Sequence, residues 1–159
     1  MALSNQTDTQ VELKGVHLCC GGCVNAVATA VESVPGVTCR CDMSRGTVTL
    51  PAGNVAAAQK ALDAIAAAGL HGETGDRHLA MSAEPNIPTG RVQSLTVSGI
   101  HNCCQSCYEA IKGAIDSVEG VTSDTARPGK TSFEVTGNFS AVELVRALNA
   151  AGFHARVKQ

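Results

Sequence analysis

A small α+β unit, present twice, is the fold this chain predicts, on three observations. A block of histidine and cysteine recurs at a fixed interval, strand-like alternation precedes each block, and helix-like spacing follows it. His17, Cys19, Cys20 and Cys23, within "HLCCGGC", recur 84 positions later as His101, Cys103, Cys104 and Cys107, within "HNCCQSC". The correspondence extends further: Gly15 answers Gly99, Val27, Val31 and Val34 answer Ile111, Ile115 and Val118, and Gly36-Val37 answers Gly120-Val121. Near the end of each copy "AAGLH" (Ala67 to His71) answers "AAGFH" (Ala150 to His154) at an offset of 83, so short insertions and deletions separate the copies. Internal similarity of this kind marks a repeated supersecondary unit.

Each element of the unit has its own signal. "VELKGV" (Val11 to Val16) and "VQSLTVSGI" (Val92 to Ile100) alternate as half-buried strands do. Val27, Val31 and Val34, and their counterparts Ile111, Ile115 and Val118, form one face of a helix that starts inside the cysteine block. Gly36 and Gly120 stop that helix. A strand over Val37 to Met43, a turn at Ser44-Arg45-Gly46 and a strand over Thr47 to Leu50 come next. A second helix carries Ala58, Leu62 and Ile65, answered by Ala141, Val145 and Leu148, and a short strand follows Gly69 and Gly152. The order βαββαβ closes as an antiparallel sheet with two helices on one face, a ferredoxin-like sandwich. The expected division is residues 9–75 for the first unit, 76–90 for a Gly- and Pro-containing linker, and 91–159 for the second. Such a linker spans up to roughly 50 Å when extended, enough to leave the two units independent or to let them close over one ion.

Composition removes several classes of function. With 44% hydrophobic and 16% charged residues the chain is globular in type, and with aromatics at 3% its core must be built of small aliphatic side chains. A net charge of −2 and no Lys/Arg run leave no basic patch for nucleic acid. No stretch nears the roughly 18 apolar residues of a membrane span, and "MALSNQTDTQ" has neither the charged nor the apolar region of a secretion signal. The expectation is a soluble, cytoplasmic protein. No Ser/His/Asp arrangement, phosphate loop or paired carboxylate stands out, so an enzyme is not expected.

The cysteines carry the chemistry. Six of the eight lie in the two tight blocks, where a stapling framework would spread them. A block between a strand and a helix N-terminus favours thiolate, because unpaired backbone N–H groups and the helix dipole stabilise the anion. Cys20-Gly-Gly-Cys23 converges two sulfurs across one turn, Cys19 adds a third, and His17 offers a nitrogen or a supporting hydrogen bond. Two or three thiolates suit Cu(I), Zn(II), Hg(II) or Cd(II), and three with a histidine make a tetrahedral zinc site. Cys39 and Cys41 share one face of a strand with Val37 and Met43, which favours packing over ligation. His71 and His154 open the last strand at the same end as the cysteine loop, either as supports for the site or as solvent-exposed residues.

In these residues the chain resembles the heavy-metal-associated domain, found in copper chaperones, mercury-binding proteins and the N-terminal regions of metal-pumping ATPases. The resemblance covers both halves and rests on the βαββαβ order, Cys-x-x-Cys between first strand and first helix, the Gly-Val after it, and the ending "AAGFH". It implies one soft metal ion per domain, Cu(I) or Zn(II), held by Cys20 with Cys23 and by Cys104 with Cys107. It also implies passage by thiolate exchange to a metal-transporting ATPase or another acceptor. The usual Met-x-Cys-x-x-Cys is here His-x-Cys-Cys-x-x-Cys, so Cys19 and Cys103 are further candidate ligands, with His17 and His101 beside them. A third thiolate favours three-coordinate Cu(I), or zinc with histidine, over a linear pair. Two other classes stay open: a thiol–disulfide redox protein using the Cys-x-x-Cys pairs, and a zinc-stabilised structural or adaptor module.

Overall fold

The computed structural model of the protein describes residues 9–76, 78–81, 84 and 86–159. Residues 1–8 lie outside the described set, as do Arg77, Ser82, Ala83 and Pro85 of the expected linker. The first copy runs β1 (Thr9–Lys14), α1 (Gly21–Glu32), β2 (Arg40–Asp42), β3 (Thr47–Ala52), α2 (Val55–Ala67) and β4 (Glu73–Thr74). The second repeats the order as β5 (Arg91–Ser98), α3 (Gln105–Asp116), β6 (Val121–Asp124), β7 (Phe133–Ser140), α4 (Ala141–Ala150) and β8 (Arg156–Lys158). Each copy forms an antiparallel four-stranded sheet, ordered β2-β3-β1-β4 and β6-β7-β5-β8. This is the tandem ferredoxin-like fold that the element order predicts.

Register follows the buried face. Val11 lies opposite Leu50 and Leu13 opposite Val48 in the first sheet, and Leu95 opposite Val135 and Val97 opposite Phe133 in the second. All eight side chains are buried. Val27 and Val31 of α1, and Leu62 and Ile65 of α2, cover the first sheet; Ile111, Ile115, Leu144 and Leu148 cover the second. Each such aliphatic residue contributes about 1.5–3 kcal/mol when fully buried. The helices begin at defined caps: Asn54 accepts a hydrogen bond from the Ala57 amide at 2.8 Å, and Ser140 from that of Glu143 at 3.3 Å.

The second strand is shorter than the alternation predicts. Only Arg40–Asp42 pair as a strand, and Val37 keeps an isolated bridge to Ala52. The Asp42 carboxylate accepts from the Ser44 amide at 3.0 Å, the Ser44 hydroxyl at 2.6 Å and the Arg45 amide at 3.3 Å, which turns the chain early. Met43 is therefore 54% exposed instead of facing inward, while Cys39 and Cys41 pack half-buried against the core. The segment after β4 is also more structured than a free tether. Leu79 and Met81 are buried, the Gly72 amide meets the Met81 sulfur at 3.1 Å, and Gln59 donates to the Ala80 carbonyl at 2.8 Å.

The two copies share one hydrophobic core. Their joint is a backbone exchange between the two "AAG" corners, in which Leu70 and Phe153, both fully buried, form an antiparallel bridge. The Gly69 carbonyl accepts from the amides of His101 (3.2 Å) and His154 (2.9 Å), and the Gly152 carbonyl from those of His17 (3.5 Å) and His71 (2.9 Å). Both glycines have left-handed backbones, φ +90° and +95°. A Cβ at either position would stand 2.2 Å from a histidine amide nitrogen of the other copy. Gly69→Ala or Gly152→Ala therefore loses about 1–3 kcal/mol from backbone strain alone, before the clash is counted. In a thermal melt we expect each to lower Tm by at least about 4 °C, whereas Gly53→Ala, with open space at the added Cβ, serves as the tolerant control.

Candidate metal centre

Each cysteine loop is placed by the same two devices. The strand before it is pinned by backbone bonds, Val16 N–H to the Gly46 carbonyl at 2.9 Å and Ile100 N–H to the Thr131 carbonyl at 3.3 Å. The helix after it begins at a cysteine cap, since Cys20 and Cys104 hold extended backbone and their carbonyls accept from the first turn. Cys23 and Cys107 thereby sit inside the first turns of α1 and α3, both at 0% exposure. The joint at Gly69 and Gly152 then turns one loop to face the other.

The result is a single cluster of six thiols. Across the joint, Cys19 Sγ lies 3.3 Å from Cys104 Sγ and 3.6 Å from Cys107 Sγ, Cys20 Sγ 3.7 Å from Cys103 Sγ, and Cys23 Sγ 4.0 Å from Cys103 Sγ and 3.8 Å from Cys107 Sγ. Within the loops, Cys19 and Cys23 are 3.5 Å apart, Cys103 and Cys107 3.7 Å, and Cys104 and Cys107 3.8 Å. Three donor sets have all their ligand atoms within 4.8 Å of one another: His17, Cys19, Cys23 and Cys107; Cys23, His101, Cys103 and Cys107; and Cys19, Cys20, Cys103 and Cys104. Every histidine and cysteine of the two predicted blocks belongs to at least one set. Cys39, Cys41, His71 and His154 belong to none.

The histidines show how closely the site is fitted. The Nε2 atoms of His17 and His101 are buried without a hydrogen-bond partner, a costly state for a polar nitrogen. The His17 ring lies against Phe153 of the other copy, with centroids 4.7 Å apart. Burial holds the His17 pKa below its usual value, and His101 acts in the same direction. His71 and His154 stack on each other at 6.3 Å, and His71 Nε2 is 3.2 Å from a Glu73 carboxylate oxygen. That pair belongs to the joint between the copies.

Crowded sulfurs cannot all ionise together. Cys23 is held well below the usual thiol range because Cys107 hydrogen-bonds to its thiolate, with His101 and Cys19 adding to the effect. Cys107 is driven up by giving that bond and by burial. Burial also raises Cys19, and raises Cys103 to about 12, while the Cys107 backbone amide and the Cys19 thiol lower Cys104 to about 6. The sequence predicts thiolate at the helix N-terminus, and Cys104 follows that rule. The opposed shifts at Cys23 and Cys107 arise from the apposition of the loops, which no spacing within one copy signals.

No family model matches the chain. Among solved structures, it is similar to the N-terminal soluble domains of Bacillus subtilis CopA at 16% identity over 95% of this chain and 94% of that one, with a TM-score of 0.35. The water-soluble region of the P-type ATPase CopA from the same organism gives 16% identity, 95% and 93% coverage and a TM-score of 0.31. The first two RRM domains of the yeast poly(U)-binding protein Pub1 give 11%, 94% and 98%, and 0.28. At TM-scores this low, none of the three bears on what this chain binds.

Thiol reactivity tests the site directly. In the metal-free protein, alkylation of Cys104 should rise through about pH 6, since only thiolate reacts and its pKa is held near that value. Cys103, held near 12, should stay slow across the same range, and the buried Cys23 and Cys107 should be protected. Peptide mapping after timed alkylation at several pH values reads all four; equal rates for Cys103 and Cys104 would contradict the arrangement.

Proposed function

We propose that the protein binds soft metal ions at the thiol cluster between its two copies and passes them on by thiolate exchange, in trafficking, buffering or detoxification and not in catalysis. One observation carries this reading: six sulfurs from two loops far apart in sequence are near neighbours at 3.3 to 4.0 Å. Thiolates are soft donors, so such a site prefers Cu(I), Zn(II), Cd(II) or Hg(II) to a hard cation.

The sulfur spacing bears on coordination number. With metal–sulfur bonds of about 2.3 Å, sulfurs lie about 3.8 Å apart around a tetrahedral ion and about 4.0 Å around a trigonal one, but about 4.6 Å across a linear one. The observed neighbours fit the first two. Three or more donors per ion suit this spacing better than the two-sulfur pair that the family resemblance implies, so Cys19 and Cys103 are ligands together with Cys23 and Cys107, and Cys20 and Cys104 stand beside them.

A redox role is the weaker reading. A thiol–disulfide catalyst needs one preferred partner for its nucleophile, and here Cys19, Cys23, Cys103 and Cys107 each face several sulfurs at similar distances. Exchange of metal uses that same feature, because an incoming thiolate binds before the outgoing one leaves. Acceptors of matching chemistry are exposed cysteine pairs on other proteins, those of a metal-transporting ATPase included. Among the described residues no helix is long and apolar enough to cross a membrane, so transport itself would fall to such a partner.

Metal analysis after anaerobic purification, with circular dichroism before and after a strong chelator, tests the proposal. We expect a soft metal ion that the chelator removes while the secondary structure stays; collapse of the fold on removal would assign a structural site instead. Cys23→Ser with Cys107→Ser should weaken metal retention by more than the roughly 10–100-fold cost of losing an outer-shell partner. Two independent sites would make Cys20→Ser with Cys23→Ser halve the metal content, whereas a shared centre loses more than half.

A further inference from the structure

Four of the six sulfurs form a figure that two isolated sites do not need. Cys19, Cys23 and Cys107 make one triangle with sides of 3.5, 3.6 and 3.8 Å. Cys103, Cys107 and Cys23 make a second, with sides of 3.7, 3.8 and 4.0 Å. The two triangles share the Cys23–Cys107 edge. Each has one histidine of its own, His17 for the first and His101 for the second, with its donor atom inside the same 4.8 Å limit. Both imidazoles also have a buried Nε2 without a hydrogen-bond partner, a state that His71 Nδ1 shares outside the cluster.

We propose that the centre holds two divalent tetrahedral ions of the Zn(II) class at once, bridged by the thiolates of Cys23 and Cys107. This rests on the metal-binding reading above and specifies its count and geometry. The first ion takes His17, Cys19, Cys23 and Cys107; the second takes His101, Cys103, Cys107 and Cys23. Cys20 and Cys104, which belong to neither triangle, are left out of the resident set and serve as points of entry and exit. Each lies beside an end ligand of the opposite copy, Cys20 beside Cys103 and Cys104 beside Cys19.

Charge selects the divalent ion. Four thiolates and two divalent ions sum to zero, with two neutral imidazoles completing the shells. Two monovalent ions on the same ligands would leave two negative charges where Cys23 and Cys107 are fully buried, and uncompensated buried charge is expensive. Donor number agrees, since three sulfurs and one nitrogen complete a tetrahedral zinc-type shell.

Co(II) substitutes for such ions and reports the geometry. In an anaerobic titration of the full chain, tetrahedral ligand-field and sulfur-to-cobalt charge-transfer bands should grow to two equivalents. The paramagnetic resonance signal should rise with the first part of the titration and then fall as thiolate-bridged pairs couple. Cys20→Ser with Cys104→Ser should keep that rise and fall, and Cys23→Ser with Cys107→Ser should abolish it. A signal growing linearly to two equivalents, a titration ending at one, or a chain that holds Cu(I) but neither Co(II) nor Zn(II) would each overturn the bridged site while leaving soft-metal binding intact. Failure to retain any of the three metals would remove both proposals.

Discussion

The two carbonyls of Gly69 and Gly152 fix the rest of the molecule. Each accepts two amides, and one of the two is the amide of the histidine that opens the other copy's cysteine loop. Loop position is thus set by backbone contacts that only glycine allows, at left-handed torsions with no room for a Cβ. The buried Leu70–Phe153 bridge puts an apolar seal beneath these contacts. Sulfurs from both loops are therefore at coordination spacing through contacts made by the chain alone. A site organised in advance avoids the ordering cost that a flexible tether would impose on each ion bound.

That organisation has an electrostatic consequence. Bringing six thiols together without a cation forces protons to be shared, as the opposite displacements of Cys23 and Cys107 record. A metal ion removes the conflict by replacing those protons, so binding is coupled to proton release. The buried pair at the centre gains most, because its sulfurs have no solvent to stabilise a lone thiolate. Cys104, half-buried at the cap of α3, is held near 6 by the Cys107 amide and the Cys19 thiol.

Most of the fold was legible because its signals are local. Period-two and helical spacing give the βαββαβ order, and the repeat supports the strand and helix around the cysteine block twice, although α1 and α3 end at Glu32 and Asp116, before Val34, Val118 and the glycines expected to stop them. The second strand is shorter than its pattern because apolar alternation continues to Met43, while the Asp42 carboxylate ends the strand by accepting from the amides of Ser44 and Arg45. The cluster was legible in its members and not in its assembly. All eight histidine and cysteine residues of the two blocks could be named from spacing, but nothing within one block says that it faces the other. The trace was "AAGLH" against "AAGFH": an identical corner in both copies, ending in glycine, is what a two-fold joint requires, and it reads equally well as the start of a fourth strand.

The copies supply matched ligands but different supports. Behind the first loop stands Leu18, buried in the shared core. The corresponding residue of the second loop is Asn102, also buried, whose amide donates to the carbonyls of Arg127 at 2.8 Å and Lys130 at 2.9 Å. Hydrogen bonds to a neighbouring segment fix direction as well as depth, whereas an aliphatic contact tolerates sliding. The two ends of the centre are thus alike in donor chemistry and unlike in stiffness. The first loop also has Gly21 and Gly22 after Cys20, where the second has Gln105 and Ser106 after Cys104. The internal symmetry of the donors therefore does not extend to the residues that support them.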